Sequence, residues 1–386
     1  MGCCSAKNDA AQAPVPTQRR RLSVGQVEGA AQYTEVEISD EDRGIILSMD
    51  QTNILELIEM PDDDRKFSIG SETDKELAKK ASFAEKKVHN IGSPVDPNKS
   101  GIGFACRKGL KPETANQDSW SVLKLGDYSI YGVFDGHGKM GHHVSNFVKE
   151  SLPKLIVKDQ RFKTTEMCEM LTDIYKRMQN MIATATRLNK FDALMSGCTT
   201  TVLIHDHLEK KLYVSWVGDS GAMVVKKPPP NQGDQKWNGQ KLTWDHKPDE
   251  KGERSRIEKT GGRVVFDGYA NHRVYAKQGR YPGLNMSRAL GDLMGHRDAG
   301  ISAEPTTCVY DLVDDDKMIV LCSDGVWEFI SHPEVAAIVG AFPSAKAMAA
   351  ADKLAKESWE RWIREEGGMV VDDITAVIIY LQEPKA

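Results

Sequence analysis

Four aspartates stand at the ends of apolar runs that read as buried strands, and they constrain the chain more than any other feature. Asp135 ends the run 130–134, Asp219 follows 214–217 and Gly218, Asp324 follows 319–323, and Asp372, with Asp373, stands just before 374–379. A strand holds its tip rigidly, so carboxylates placed this way can meet at one spot, and hard oxygen ligands suit Mg or Mn rather than zinc. Asp and Gly also mark ordinary turns, and for any single position that reading serves as well. Four together are harder to dismiss, and three have a glycine beside them: Asp135-Gly136, Gly218-Asp219 and Asp324-Gly325. Glycine lets the backbone approach an ion closely and offer its carbonyl. His137 follows Asp135-Gly136 and precedes Gly138. An imidazole there can carry a proton near neutral pH, and its two glycine neighbours favour display in a cleft over packing in a core. His142 and His143 stand where a helix begins and are assigned no chemistry.

Further apolar runs at 128–134, 200–204, 212–217, 318–322 and 374–381 are bounded by Gly and Asp, and helix-like stretches lie at 142–158, 164–189, 249–260 and 344–366. Strands come in succession, 200–204, 211–217 and 222–226, rather than alternating with helices. That favours an α+β fold of antiparallel sheets covered by helices over a doubly wound parallel one. This texture begins near Lys99 and defines a folded domain over 99–386, with a Pro/Gly/Asn-rich loop at 228–239.

Residues 1–98 differ. Positions 1–27 carry a net charge of +3, whereas 28–76 hold 15 acidic and four basic side chains. With few aromatics and no strand-like alternation, 1–98 reads as a largely disordered regulatory extension with one short amphipathic helix near 45–60. The net charge of −5 supplies no nucleic-acid surface, and the seven scattered cysteines form no CxxC pair, which favours a reducing compartment. No run of about 18 apolar residues is present to cross a bilayer.

Ten segments occur in one order along residues 100–382: Asn116-Gln117-Asp118, VFDGHG ending at Gly138, SGCTT from Ser196, VGDS from Val217, DHKP from Asp245, Gly261-Gly262, SRALGD ending at Asp292, Glu304-Pro305, SDGVW from Ser323 and DDIT from Asp372. In this the chain resembles the type-2C (PPM) metal-dependent protein serine/threonine phosphatases. The resemblance implies a central β-sandwich of two antiparallel sheets flanked by helices, with two divalent cations, Mg or Mn, in a cleft at one end. Asp135 would bridge both ions, Gly136 would offer its carbonyl, and Asp324 and Asp372 would complete one ion's shell. Asp118 matches an outer-shell acid, and Asp219, with Asp324 and Glu328, matches a third, weaker site of some members.

The chain departs from the family in three places. Gln117 replaces a common glutamate, Asp373 an asparagine, and the position of the phosphate-gripping arginine is Glu113, which leaves Arg107, Lys108 or Lys111 to serve.

The activity so implied is hydrolysis of phosphoserine and phosphothreonine in proteins. By that resemblance a metal-bound hydroxide would attack phosphorus in line, and His137, as general acid, would protonate the departing oxygen. The charged stretch 247–263 corresponds to a variable flap suited to substrate selection. The rival readings are a catalytically weak phosphatase-like scaffold that binds phosphoproteins, kept open by Gln117 and the relocated base, and a hydrolase of small phosphoesters. The chain is expected to be a monomer whose partners are phosphoprotein substrates.

Met1-Gly2-Cys3-Cys4 reads as an acylation signal, with myristate on Gly2 and palmitate on Cys3 and Cys4. One acyl chain binds weakly, so palmitate or the basic Arg19–Arg21 patch must add to it. The expected location is the cytoplasmic face of a membrane, with a cytosolic pool. Ser23, Ser68 and Ser82 each follow basic residues and resemble kinase sites.

Overall fold

The computed structural model describes residues 39–47, 53–57, 66–72, 81–111, 114–228 and 236–381. Gly2, Cys3, Cys4, Ser23 and Glu113 lie outside them. The chain runs through α1 (Asp40–Leu47), a 3-10 turn at Ile54–Leu57, β1 (Lys66–Ser71), β2 (Val88–Gly92), β3 (Ile102–Arg107), β4 (Ser119–Leu125), β5 (Tyr128–Phe134) and β6 (Gly136–His137). Helices α2 (Gly141–Lys158) and α3 (Met167–Arg187) come next, then β7 (Gly197–Cys198), β8 (Thr200–Asp206), β9 (Lys211–Val217), β10 (Gly221–Lys226) and β11 (Asn238–Lys241). A smaller unit comprises α4 (Lys251–Lys259), β12 (Arg263–Phe266), β13 (His272–Tyr275) and β14 (Pro282–Leu284). Then follow β15 (Leu290–Gly291), α5 (Leu293–Asp298), β16 (Thr306–Asp311), β17 (Asp316–Cys322), α6 (Asp324–Trp327), α7 (His332–Gly340), α8 (Ala347–Glu365) and β18 (Ile374–Tyr380).

Among the described residues, one antiparallel sheet has the order β16-β9-β8-β5-β4-β1-β2 and a second the order β11-β10-β17-β18-β3. The apolar runs are continuous because each central strand has a core on both faces. In β5, Tyr131 and Val133 enter the layer between the sheets, while Ile130 and Phe134 pack under α2 and α3. In β17, Ile319 and Leu321 face the same inner layer, and Met318, Val320 and Cys322 face α7 and α8. β18 divides Val377 and Ile379 from Ala376 and Ile378 in the same way. The result is helix, sheet, sheet, helix: the α+β sandwich that the resemblance implied.

Part of the expected extension belongs to the main sheet. β1 pairs with β4 on one side and β2 on the other, and it buries Phe67 and Ile69 in the layer between the sheets. Ile54 and Leu55 pack in the layer formed with α2 and α3, and Arg177 of α3 pairs with Asp42 of α1 at 2.6 Å. The described parts of 39–98 are therefore not an unstructured tether, and no structural boundary falls at 98/99. A strand that buries only one face, as β1 does with Phe67 and Ile69, needs few apolar residues, which acidic surroundings hide. Ser68, inside β1 and paired on both sides, is withdrawn as a kinase site of the folded domain. Ser82 lies exposed in a turn. Among the described residues, no single helix is long and apolar enough to cross a membrane.

Candidate active site

Antiparallel pairing gathers the acids. Ser119 opposite Phe134 puts the start of β4 and the end of β5 at one end of the first sheet. Cys322 opposite Ala376 does the same for β17 and β18 in the second. Asp118, Asp135, Asp324 and Asp372 flank those four strand ends, and all are buried. Asp118 joins the sheets: its Oδ2 accepts hydrogen bonds from Ser323 Oγ at 2.8 Å and Thr375 Oγ1 at 2.7 Å. Its Oδ1 is buried with no hydrogen-bond partner. Burial, then the charge of Asp373 and of Asp372, lifts the Asp118 carboxyl to about 7, against the hydrogen bonds from Thr375 and Ser323.

The Asp135 N–H donates to Thr199 Oγ1 at 3.1 Å, and that hydroxyl lies 2.6 Å from Ser220 Oγ, beside Asp219. Gly136 must be glycine. A Cβ there would stand 2.4 Å from the Gly141 carbonyl oxygen and 2.6 Å from that of Gln117. Gly218, at φ +96°, turns the chain after β9 toward Asp219. Asp219 Oδ2 lies 2.5 Å from Lys247 Nζ, and its Oδ1 is buried without a hydrogen bond. Burial opposes the charge of Lys247, but Asp219 outweighs it and Asp245 and Asp324 add to it, so its pKa is raised.

His137 is held by a residue to which the sequence reading gave no role. Its Nε2 lies 2.6 Å from Oδ2 of Asp292, which is itself buried. Asp292 adopts a left-handed conformation at φ 43°, and its N–H donates to the Ser196 carbonyl at 2.9 Å. Gly197 makes room for it, since a Cβ there would sit 2.3 Å from Asp292 Oδ2. The only sequence signal was that Asp292 ends one of the quoted segments.

The basic candidates separate cleanly. Arg107 pairs with Glu85 and Asp352, each at 2.9 Å, and lies over the Phe83 ring. Its guanidinium is thus committed away from the acids. The Lys108 side chain is buried. Lys111 reaches the site carboxylates, bonding Asp372 and lying 3.8 Å from Asp373. Asp373 accepts the N–H groups of Gly109 at 2.8 Å and Gln117 at 2.9 Å, so this second acid ties two loops together. The Gln117 side-chain amide donates to the Gly138 carbonyl at 2.6 Å, which commits that donor to backbone. Glu328 and Asp324 line a small pocket with Asp267, Asn271 and Arg273 of the β12–β13 hairpin. His142 and His143 lie ring to ring at the start of α2, and burial, with His143 beside it, pushes His142 down to about 4.

Among the described residues, no three His, Cys, Asp or Glu side chains stand as a ready group for a metal ion. Buried carboxylates repel one another, and the ammonium groups of Lys111 and Lys247 are one answer to that repulsion; divalent cations are another. The donor set fits a hard cation: buried carboxylates, two of which (Asp118 and Asp219) have an oxygen left without a hydrogen bond.

The protein phosphatase 2C family model matches residues 110–366. A probable protein phosphatase 2C 48 of Oryza sativa subsp. japonica is 33% identical over 275 residues, covering 66% of this chain and 76% of that one. Protein phosphatase 2C 1 of Paramecium tetraurelia is 30% identical, covering 66% and 84%. The serine-threonine phosphatase 2C structure from Toxoplasma gondii superposes with a TM-score of 0.62 at 19% identity, over 73% of this chain and 94% of that one. A C. elegans sex determining protein gives 0.60 at 22%, over 73% and 65%. At those identities the two structures speak for the fold alone.

His246 makes the site measurable through pH. Its Nδ1 accepts the Gly218 N–H at 3.1 Å, and burial, helped by Arg288, pushes its pKa down to about 3. The unfolded chain binds a proton on this ring below its ordinary value of about 6.5, and the folded chain does not, so stability is lost as pH falls. Exchanging His246→Gln should reduce the slope of unfolding free energy against pH, between about pH 4 and 6, by about 1.4 kcal/mol per pH unit. Urea unfolding at stepped pH measures it, and an unchanged slope would mean that the ring titrates normally in the fold.

Proposed function

This chain belongs to the protein phosphatase 2C family, whose members remove phosphate from serine and threonine side chains of proteins, and on that premise we propose a metal-dependent mechanism for it. The observation that carries the proposal is the gathering of buried carboxylates from both sheets at one end of the sandwich, joined by Asp118. Asp135, Asp324 and Asp372, with the Gly136 carbonyl, would hold two cations of Mg or Mn; Asp219 and Glu328 would serve a third. When bound, such ions supply positive charge for the phosphoryl oxygens and make water a competent nucleophile near neutral pH.

The chain's own groups do the rest. Asp292 engages Nε2 of His137 and fixes the ring, which leaves Nδ1 to deliver a proton to the departing serine or threonine oxygen. Lys111, paired with Asp372, is the basic residue within reach to steady a phosphate oxygen once a cation takes up that carboxylate's charge. The hairpin 263–275 beside Asp324 and Glu328, with α4, would select among phosphoproteins.

The first test is phosphate release from a phosphothreonine peptide with Mn. Turnover should vanish with chelator and in Asp135→Ala; retention within about threefold would remove Asp135 from the metal reading. A second concerns the proton. His137→Ala should slow phosphoserine peptides far more than an activated aryl phosphate, whose leaving group needs little protonation. Equal losses on both substrates would argue against a general acid.

Acylation at Gly2, Cys3 and Cys4 is proposed to hold the protein at a cytoplasmic membrane face. Gly2→Ala should then move a carboxy-terminally tagged protein from membrane to soluble fractions without loss of activity. An unchanged distribution would reject the anchor.

A further inference from the structure

Lys86 lies before the residues matched to the family, yet its ammonium is buried against the site. It is 2% exposed and donates to the carbonyl of Asn116 at 3.2 Å, to Ser119 Oγ at 3.5 Å and to the carbonyl of Asp118. Among the described residues it has no carboxylate at ion-pair distance. A buried ammonium bound mainly by carbonyls is costly unless the surrounding field favours it. Burial holds the Lys86 pKa below its ordinary value and the charge of Lys149 adds to that, while the nearby charges of Asp118 and Asp373 oppose it.

The segment carrying Lys86 is pinned to the end of β3. Phe83 N–H donates to the Lys108 carbonyl at 2.8 Å, Lys108 N–H to that of Ala84 at 3.0 Å, and Lys86 N–H to that of Cys106 at 2.9 Å. Glu85 accepts the Cys106 N–H at 2.7 Å and pairs with Arg107. A side chain launched from so fixed a backbone has little freedom. The turn that it grips is held from the other side as well, since the Gln117 carbonyl accepts Ser145 Oγ at 2.6 Å and Gly136 N–H at 3.2 Å.

We propose that Lys86 is a positioning residue for the acidic site, an internal cation that fixes the 116–119 turn so that Asp118 and the backbone beside Asp135 stand correctly for divalent cations. It acts through two routes. Asp118 carries the turn's position to Ser323, next to Asp324, and to Thr375, close to Asp372. The Gln117 carbonyl carries it to Gly136, next to Asp135. The proposal rests on the metal-dependent reading of the site and extends it to a segment outside the family match.

The test compares Lys86→Met with Lys149→Met, a second buried lysine, which bonds the Ser71 carbonyl and pairs with Glu150 at 2.7 Å. Mn binding to each full-length protein is followed by calorimetry, and turnover of the phosphothreonine peptide at matched folded fraction. K86M should weaken Mn binding about tenfold or more and lower kcat with little change in KM. K149M should lose stability and keep wild-type Mn affinity. Should K86M fail to fold, Lys86→Gln, neutral but still a donor, takes its place in the same comparison. Wild-type Mn affinity in the variant, or an equal loss in K149M, would overturn the proposal. Mn binding by the wild type without phosphate release would instead sink the phosphatase reading, and the Lys86 comparison would still be decided by binding alone.

Discussion

One buried carboxylate ties the two halves of this molecule together where the chemistry is expected. Asp118 immediately precedes β4 of the first sheet and accepts hydroxyl hydrogen bonds from Ser323, just after β17, and Thr375 of β18 in the second. Hydroxyl donors to a carboxylate are geometrically demanding, and in a site that excludes water they are stronger than at the surface. They therefore fix the relative height of β4, β17 and β18 at that end. Asp324 directly follows Ser323, and Asp372 with Asp373 stands just before Ile374-Thr375, so the other acids inherit their positions from this joint.

Gathering acids has an electrostatic cost, and the fold offsets it with fixed positive groups and dipoles. Lys111 meets Asp372, Lys247 meets Asp219, and the backbone N–H groups of Gly109 and Gln117 meet Asp373. Such pairings allow acids to be buried together without unfolding the site. They also leave Asp118 and Asp219 each with an oxygen that has no hydrogen bond, which is unusual inside a protein and is what a cation site requires.

The layers behind the site supply its rigidity. Each central strand is packed on both faces, so a strand tip cannot shift without disturbing two cores at once. The stretch before residue 99 takes part in this. β1 extends the first sheet beside β4, the segment 83–86 grips the end of β3, and Lys86 reaches under the turn that carries Gln117 and Asp118.

Much of this was legible in the amino-acid order, because its causes are local. Apolar runs flanked by Gly and Asp defined β5, β8, β9, β17 and β18, and aspartates next to glycines pointed to the candidate site. His137 stood out through its immediate neighbours. What the order of residues did not reveal depends on partners far apart in the chain. Asp292 holds His137 across 155 positions, and Asp373 bonds Gly109 across 264. Arg107, Lys108 and Lys111 are equivalent as letters; the packing of Glu85 and Asp352 holds Arg107 away from the acids, while Lys111 meets them. The recruitment of β1 and of Lys86 was hidden for the same reason, since a strand with few apolar residues and a buried ammonium are chosen by what they meet. Composition and periodicity determined the elements and the chemical inventory, whereas the assignment of each charge to its partner was decided by tertiary structure, because a hydrogen bond or ion pair depends on distance in space and not on distance along the chain.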